Sequence, residues 1–189
     1  MRNKRRVFVT IHYRGQYSLR EHRQRLGHAA YHWGILITPK TPTGKDCHLY
    51  DASDGMRPDP ITGEDHNPMR EWYFRANTNL DLPTVNWLLG RVMVGKVEDE
   101  GADIQAQLEA VPWPVNSNKM GAGQGQQQGQ GPVQNCASWV KDAVRKLQEI
   151  GFAEEFEVDG MMDAALRFAD ECMKKPDSRA VMNYTRRPM

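Results

Sequence analysis

Three cysteines and six histidines are the residues of this 189-residue chain suited to nucleophilic or proton-transfer chemistry near neutral pH. Cys136 is the best placed of them. It follows Val133-Gln134-Asn135 and opens residues 135–150, where Val140, Ala143, Val144, Leu147 and Ile150 recur at the steps of one helical face. A sulfur in the first turn of a helix meets partial positive charge and free amides, which favour thiolate over thiol. The same amides can stabilise the oxyanion formed when that sulfur attacks a carbonyl. A buried cysteine serving as a small apolar residue fits the same position. A thiol nucleophile needs a base, and His32 lies in a strand-like stretch that can present its ring rigidly. His48, in the following stretch, would come alongside His32 across a hairpin and hold the useful tautomer. Cys136, His32 and His48 thus read as nucleophile, base and orienter. Asp51 is the second candidate for orienter, on the opposite strand face from His48. Gln134 or Gln130 could donate to the oxyanion.

These residues must be positioned by a sheet and two later helices. Residues 7–13 carry a β-branched and aromatic run that ends at Arg14-Gly15. Residues 31–38 form the next strand, closed by the turn sequence PKTPTGKD at 39–46, with 47–52 as the hairpin partner. Residues 72–76 and 88–97 add two more strands, the second interrupted by glycines that mark a bulge or bend. A short helix over 103–110 stops at Val111-Pro112-Trp113-Pro114. Residues 121–131 contain only Gly, Gln and Ala, the composition of a mobile loop or spacer, placed where it could also cover the Cys136 site. The helix at 135–150 ends at Gly151, and a last helix over 160–175 buries Met161, Ala165, Phe168, Ala169 and Cys172 before Pro176. The remainder reads as a tail. The expected fold class is α+β, an antiparallel sheet packed against helices, in a single domain over residues 1–189.

The run Tyr31-His32-Trp33-Gly34-Ile35-Leu36-Ile37, then His48-Leu49 after a turn, then Asn135-Cys136 opening a helix with Trp139-Val140, resembles the circularly permuted papain-like cysteine enzymes. That group includes lecithin:retinol acyltransferase-like enzymes and PPPDE-type isopeptidases and is related to NlpC-type peptidases. Its members place a strand histidine before the cysteine, the chain order found here. The lipid-acting branch continues Asn-Cys with Glu-His-Phe-Val, where this chain has Ala137-Ser138-Trp139-Val140, and no long apolar C-terminal anchor follows. The resemblance covers about residues 28–52 and 132–150. It implies a permuted papain-like core and a thiol-dependent hydrolase or acyltransferase. The substrate would be an amide, ester or thioester, processed through a Cys136 acyl-enzyme with His32 as base and without a cofactor. The competing expectation is a catalytically inactive papain-like binding or assembly module.

Composition narrows the partners. The chain is 39% hydrophobic and 26% charged, with a formal charge of +1, so nothing draws the whole molecule to nucleic acid or anionic lipid. The basic character is local, with eight Lys or Arg against one Glu in the first 28 residues. Arg2, Lys4, Arg5 and Arg6 there read as a solvated terminus, and no nucleic-acid partner is expected. The expected partner is an acyl-bearing small molecule, peptide or lipid, with oligomeric state left open. Cys47, Cys136 and Cys172 match neither a disulfide framework nor a zinc site, which points to free thiols in a reducing compartment. His28 and His32 have the spacing of a helical zinc pair, but the strand pattern around them argues against a metal. Without a signal-peptide core or an apolar run of roughly 20 residues, the expected location is cytoplasmic, with no transmembrane segment.

Overall fold

The computed structural model describes residues 4–97, 103–115, 134–177 and 180–188. Its elements follow in the order β1 (Arg5–His12), α1 (Arg20–Leu26), β2 (His32–Pro39), β3 (Lys45–Ser53), β4 (Tyr73–Asp81), β5 (Leu88–Val97), α2 (Ile104–Glu109), α3 (Cys136–Glu149), α4 (Val158–Lys174) and β6 (Val181–Asn183). The architecture is α+β, a six-stranded sheet in the order β4-β3-β2-β1-β5-β6 packed with helices. Strands β1 to β5 pair antiparallel, whereas β6 joins the edge of β5 in parallel. The sheet is therefore mixed, which corrects the expectation of a purely antiparallel one. The tail residues supply the sixth strand because the Ala180 carbonyl accepts from Arg91 N–H at 3.1 Å and Tyr184 N–H donates to the Met93 carbonyl at 3.0 Å.

Alternation along the strands separates two apolar layers. Val7, Val9, Ile11, Trp33, Ile35, Ile37, Tyr50 and Val92 share one cluster with Val140, Ala143, Val144 and Leu147 of α3 and Met161, Ala165 and Ala169 of α4. Phe8, Leu36, Cys47, Leu49 and Met93 form a second cluster, completed by Leu80, Leu82 and Val85. Full burial of a large side chain such as Trp33 or Trp139 contributes roughly 1.5–3 kcal/mol, so the α3–sheet contact holds the first layer together.

The glycines of β5 sit where the ladder with β1 slips, between the pairs Val7↔Gly95 and Phe8↔Met93 and between Ile11↔Gly90 and His12↔Leu88. Gly95 also has no room for a side chain, since a methyl group there would lie 2.0 Å from the Phe152 carbonyl. The turn after α3 consequently docks on β5, where Glu154 N–H donates to the Val94 carbonyl at 2.9 Å. Helix α1, absent from the periodicity, has no buried residue of its own. It is tied down instead by Arg23, whose Nε and a terminal nitrogen each donate to Asp170 of α4 at 2.7 Å. The Gly/Gln segment at 121–131 lies outside the described residues.

Candidate functional site

Cys136 is the first residue of α3, and the cap that starts this helix is built locally. Asn135 Oδ1 accepts from the amides of Ala137 at 2.8 Å and Ser138 at 3.2 Å, while Ser138 Oγ accepts from Asn135 N–H at 2.9 Å. This reciprocal capping box fixes the turn that carries the sulfur. The Cys136 amide is among the donors at a helix start that have no intrahelical acceptor. The side chain is buried, and its thiol points to the Tyr31 carbonyl at 3.8 Å.

The residue after Tyr31 is His32, the first of β2. Its side chain is 23% exposed and its Nε2 lies 3.2 Å from Oδ2 of Asp51, which is 1% exposed. The Cys136 side chain also contacts the ring, so His32 stands between a thiol and a carboxylate. Burial is the largest single influence on this imidazole and disfavours its charged form. The contacts with Asp51 and Cys136, and the charge attraction to both, override burial and push the His32 pKa up to about 10. Asp51 is held below the usual carboxylate range, as its contacts with His32 and Arg75 outweigh the opposite effect of burial. Arg75, its cross-strand partner, donates from Nε to Oδ1 at 2.9 Å and from a terminal nitrogen to Oδ2 at 2.8 Å.

The structure brings Cys136 and His32 together and leaves His48 outside. The register of β2 and β3 pairs Ile35 with Tyr50, Leu36 with Leu49 and Ile37 with His48. Even positions of β2 therefore face odd positions of β3, and His32 shares its sheet face with Asp51 while His48 points to the other face. The residue placed against the His32 ring is Asp51 and not His48. The turn between the strands sets this parity, and its composition alone leaves the register open. Burial, aided by the Arg5 charge, pushes the His48 pKa down, and its Nδ1 finds no hydrogen-bond partner among the described residues.

Gly34 makes room for the arrangement. A methyl group at Gly34 would meet the Tyr50 carbonyl at 3.0 Å and the Leu49 and Thr10 side chains at 3.1 Å, so these neighbours would have to give way slightly to admit a side chain. Gln134 Oε1 accepts from Val115 N–H at 3.2 Å. Gln130 lies outside the described residues. The residue that sequence reading passed over is His12, cross-strand partner of His32, whose ring centroid lies 5.9 Å from that of His32. Its signal was available in part, because His12 closes its strand as His32 opens the next.

A groove of about 770 Å3 beside the start of α3 is lined by Arg25, His28, Pro114, Asn135, Ser138 and Arg145 among others. Asn135, Ala137 and Ser138 line it, whereas Cys136, His32 and Asp51 do not. His28 stands 3.3 Å from Asp163 and does not join His32 in a common site. Among the described residues no group of three His, Cys, Asp or Glu is arranged to hold a metal ion. All three cysteines are free and buried. Burial raises the pKa of Cys47, eased by the Thr38 hydroxyl 3.2 Å away, and burial likewise raises that of Cys172. Arg6, expected in a solvated terminus, is a buried strand residue whose pKa is lowered by desolvation. No described helix is long and apolar enough to cross a membrane.

No curated protein and no solved structure matches the chain. A family model does match, over residues 4–180, which is nearly the whole sequence and includes every residue of the site. The chain therefore belongs to DUF6914, a family of unknown function.

Proposed function

We propose that the protein is a thiol-dependent hydrolase or acyltransferase, with Cys136 as nucleophile, His32 as its proton partner and Asp51 as the residue that orients the imidazole. The observation that carries this reading is the position of His32, between a helix-start cysteine and a buried carboxylate, with a pKa pushed up to about 10. Such an imidazole keeps its proton at neutral pH and can give it up to a leaving group. A permuted papain-like core, as the sequence resemblance implies, accommodates the same roles in the same chain order.

In this mechanism the thiol proton rests on His32, and the sulfur forms a bond to the carbonyl carbon of an amide, ester or thioester. The oxyanion faces the free amide at the start of α3. As the tetrahedral species collapses, the bond to the nitrogen, oxygen or sulfur leaving group breaks and His32 protonates that group. Water or an amine then attacks the thioester, giving its proton to His32 while the Cys136 sulfur departs.

The test is covalent capture. Incubation with a p-nitrophenyl acyl ester is expected to add one acyl mass that maps to Cys136 and is absent in Cys136→Ala and His32→Ala. The module reading gains if folded protein shows no adduct at Cys136 under any of these conditions.

A further inference from the structure

His12 has no part in the mechanism above, yet it is the closest ring neighbour of the proposed proton carrier. It ends β1 directly opposite His32, and the two centroids lie 5.9 Å apart at an interplanar angle of 58°. The ring is buried and held from several elements. Thr10 Oγ1 of β1 lies 3.0 Å from Nε2, and the ring also hydrogen-bonds to the main chain of Asn86, just ahead of β5. His32 of β2, Asp51 of β3 and Arg75 of β4 are the charged or titratable groups that act on it. With one nitrogen donating to Asn86, the neutral ring accepts from the Thr10 hydroxyl. Every bond it makes is then satisfied without a charge.

We infer that His12 is a positioning residue of the Cys136 site: its uncharged ring is the wall that fixes the plane of the His32 imidazole, and adding a proton to it unseats His32. The physical reason is the company it keeps. A charged His12 would place a second cation against the His32 imidazolium in a buried setting, with Arg75 close behind, and both rings would compete for the single carboxylate of Asp51. The neutral ring avoids this repulsion and still supplies a packed surface. Burial, reinforced by the His32 charge, holds the His12 pKa down at about 4, so between about pH 4 and 10 the ring is neutral while His32 keeps its proton. A tyrosine or phenylalanine would also pack, but only histidine links the wall to Asn86 and Thr10 through both edges of a small ring.

This inference rests on the reading of Cys136 and His32 as a working pair, and the experiment separates the two. Ring-nitrogen resonances of both histidines are followed by NMR between pH 3 and 11 in the wild-type chain, in His12→Phe and in His12→Gln. Alkylation of Cys136 is followed over the same range. The expected result is a step at the His32 ring near pH 4 that coincides with His12 titration and vanishes in both variants, while the alkaline step near pH 10 persists. Acid loss of Cys136 alkylation should also become less steep in the variants. The inference is overturned if His12 titrates without moving His32, or if the acid step survives in either variant that keeps the wild-type circular dichroism. Repeating the titration in Cys136→Ala shows whether the two rings are coupled when no thiol is present. An unreactive Cys136 with coupled rings defeats the catalytic reading alone, and a reactive Cys136 with uncoupled rings defeats this one alone.

Discussion

Asp51 has both oxygens occupied by Arg75 and one of them shared with His32, in a position almost closed to solvent. Asp51→Asn keeps the shape and removes the charge, so Arg75 and His32 lose their counter-ion together. The expected cost is about 3–5 kcal/mol in urea denaturation, because breaking a buried pair leaves an uncompensated charge. The alkaline titration of His32 should fall from about 10 toward its ordinary value. Adding Arg75→Met should recover part of the stability but none of the His32 shift. The two site histidines also shape stability with pH in opposite directions. His32 has a raised pKa, so its contribution is full below its unfolded value near 6.5 and is lost as pH rises through about 10. His12 has a lowered pKa, so its contribution is full above about 6.5 and is lost as pH falls through about 4. Denaturation curves should show the alkaline slope flattened in His32→Phe and the acid slope flattened in His12→Phe. A cysteine heading an amphipathic helix and a histidine in a strand were legible as residues. The choice of Asp51 over His48 was not, because it depends on a register parity set by the turn at 39–46, where several loop geometries satisfy the same Pro/Gly composition.

At the level of elements, the start of α3 is where local sequence and site coincide. Asn135 caps the helix through one oxygen shared by two amides, and its loss should cost about 1 kcal/mol. Asn135→Asp keeps the cap and adds a negative charge next to the sulfur. Stability should hold or rise slightly, and Cys136 alkylation should slow, which separates the cap from the electrostatics of the thiol. An unchanged rate would mean that the helix start does not act on the sulfur. The strands and helices with strong periodicity were readable, and the boundaries of β5 agree with its apolar run. Helix α1 escaped notice because REHRQRL has no apolar stripe and is held by the Arg23–Asp170 pair, a contact between residues 147 apart. Strand β6 escaped because three residues without a buried position carry no alternation worth reading.

Across the whole molecule, the sheet and the helical layer each hold part of the site. His12, His32, Asp51 and Arg75 belong to four consecutive strands, while the sulfur belongs to α3, which is fixed to the sheet by buried residues such as Trp139, Val140 and Leu147. The site therefore depends on how α3 sits on β2, and little on the far edge of the sheet. A chain ending after Asp177 loses β6 and the Arg187–Glu154 contact at 3.2 Å. Its melting temperature should drop by several degrees, on the order of 4 °C per kcal/mol lost. Cys136 should react at the wild-type rate below that temperature. Activation of one of three buried thiols by a neighbouring imidazole is measured by site-resolved alkylation with iodoacetamide at pH 6. Cys136 is expected to label at least about tenfold faster than Cys47 and Cys172, with the lead lost in His32→Gln. Equal labelling of the three in the folded protein, or labelling of Cys136 only on unfolding, would contradict it.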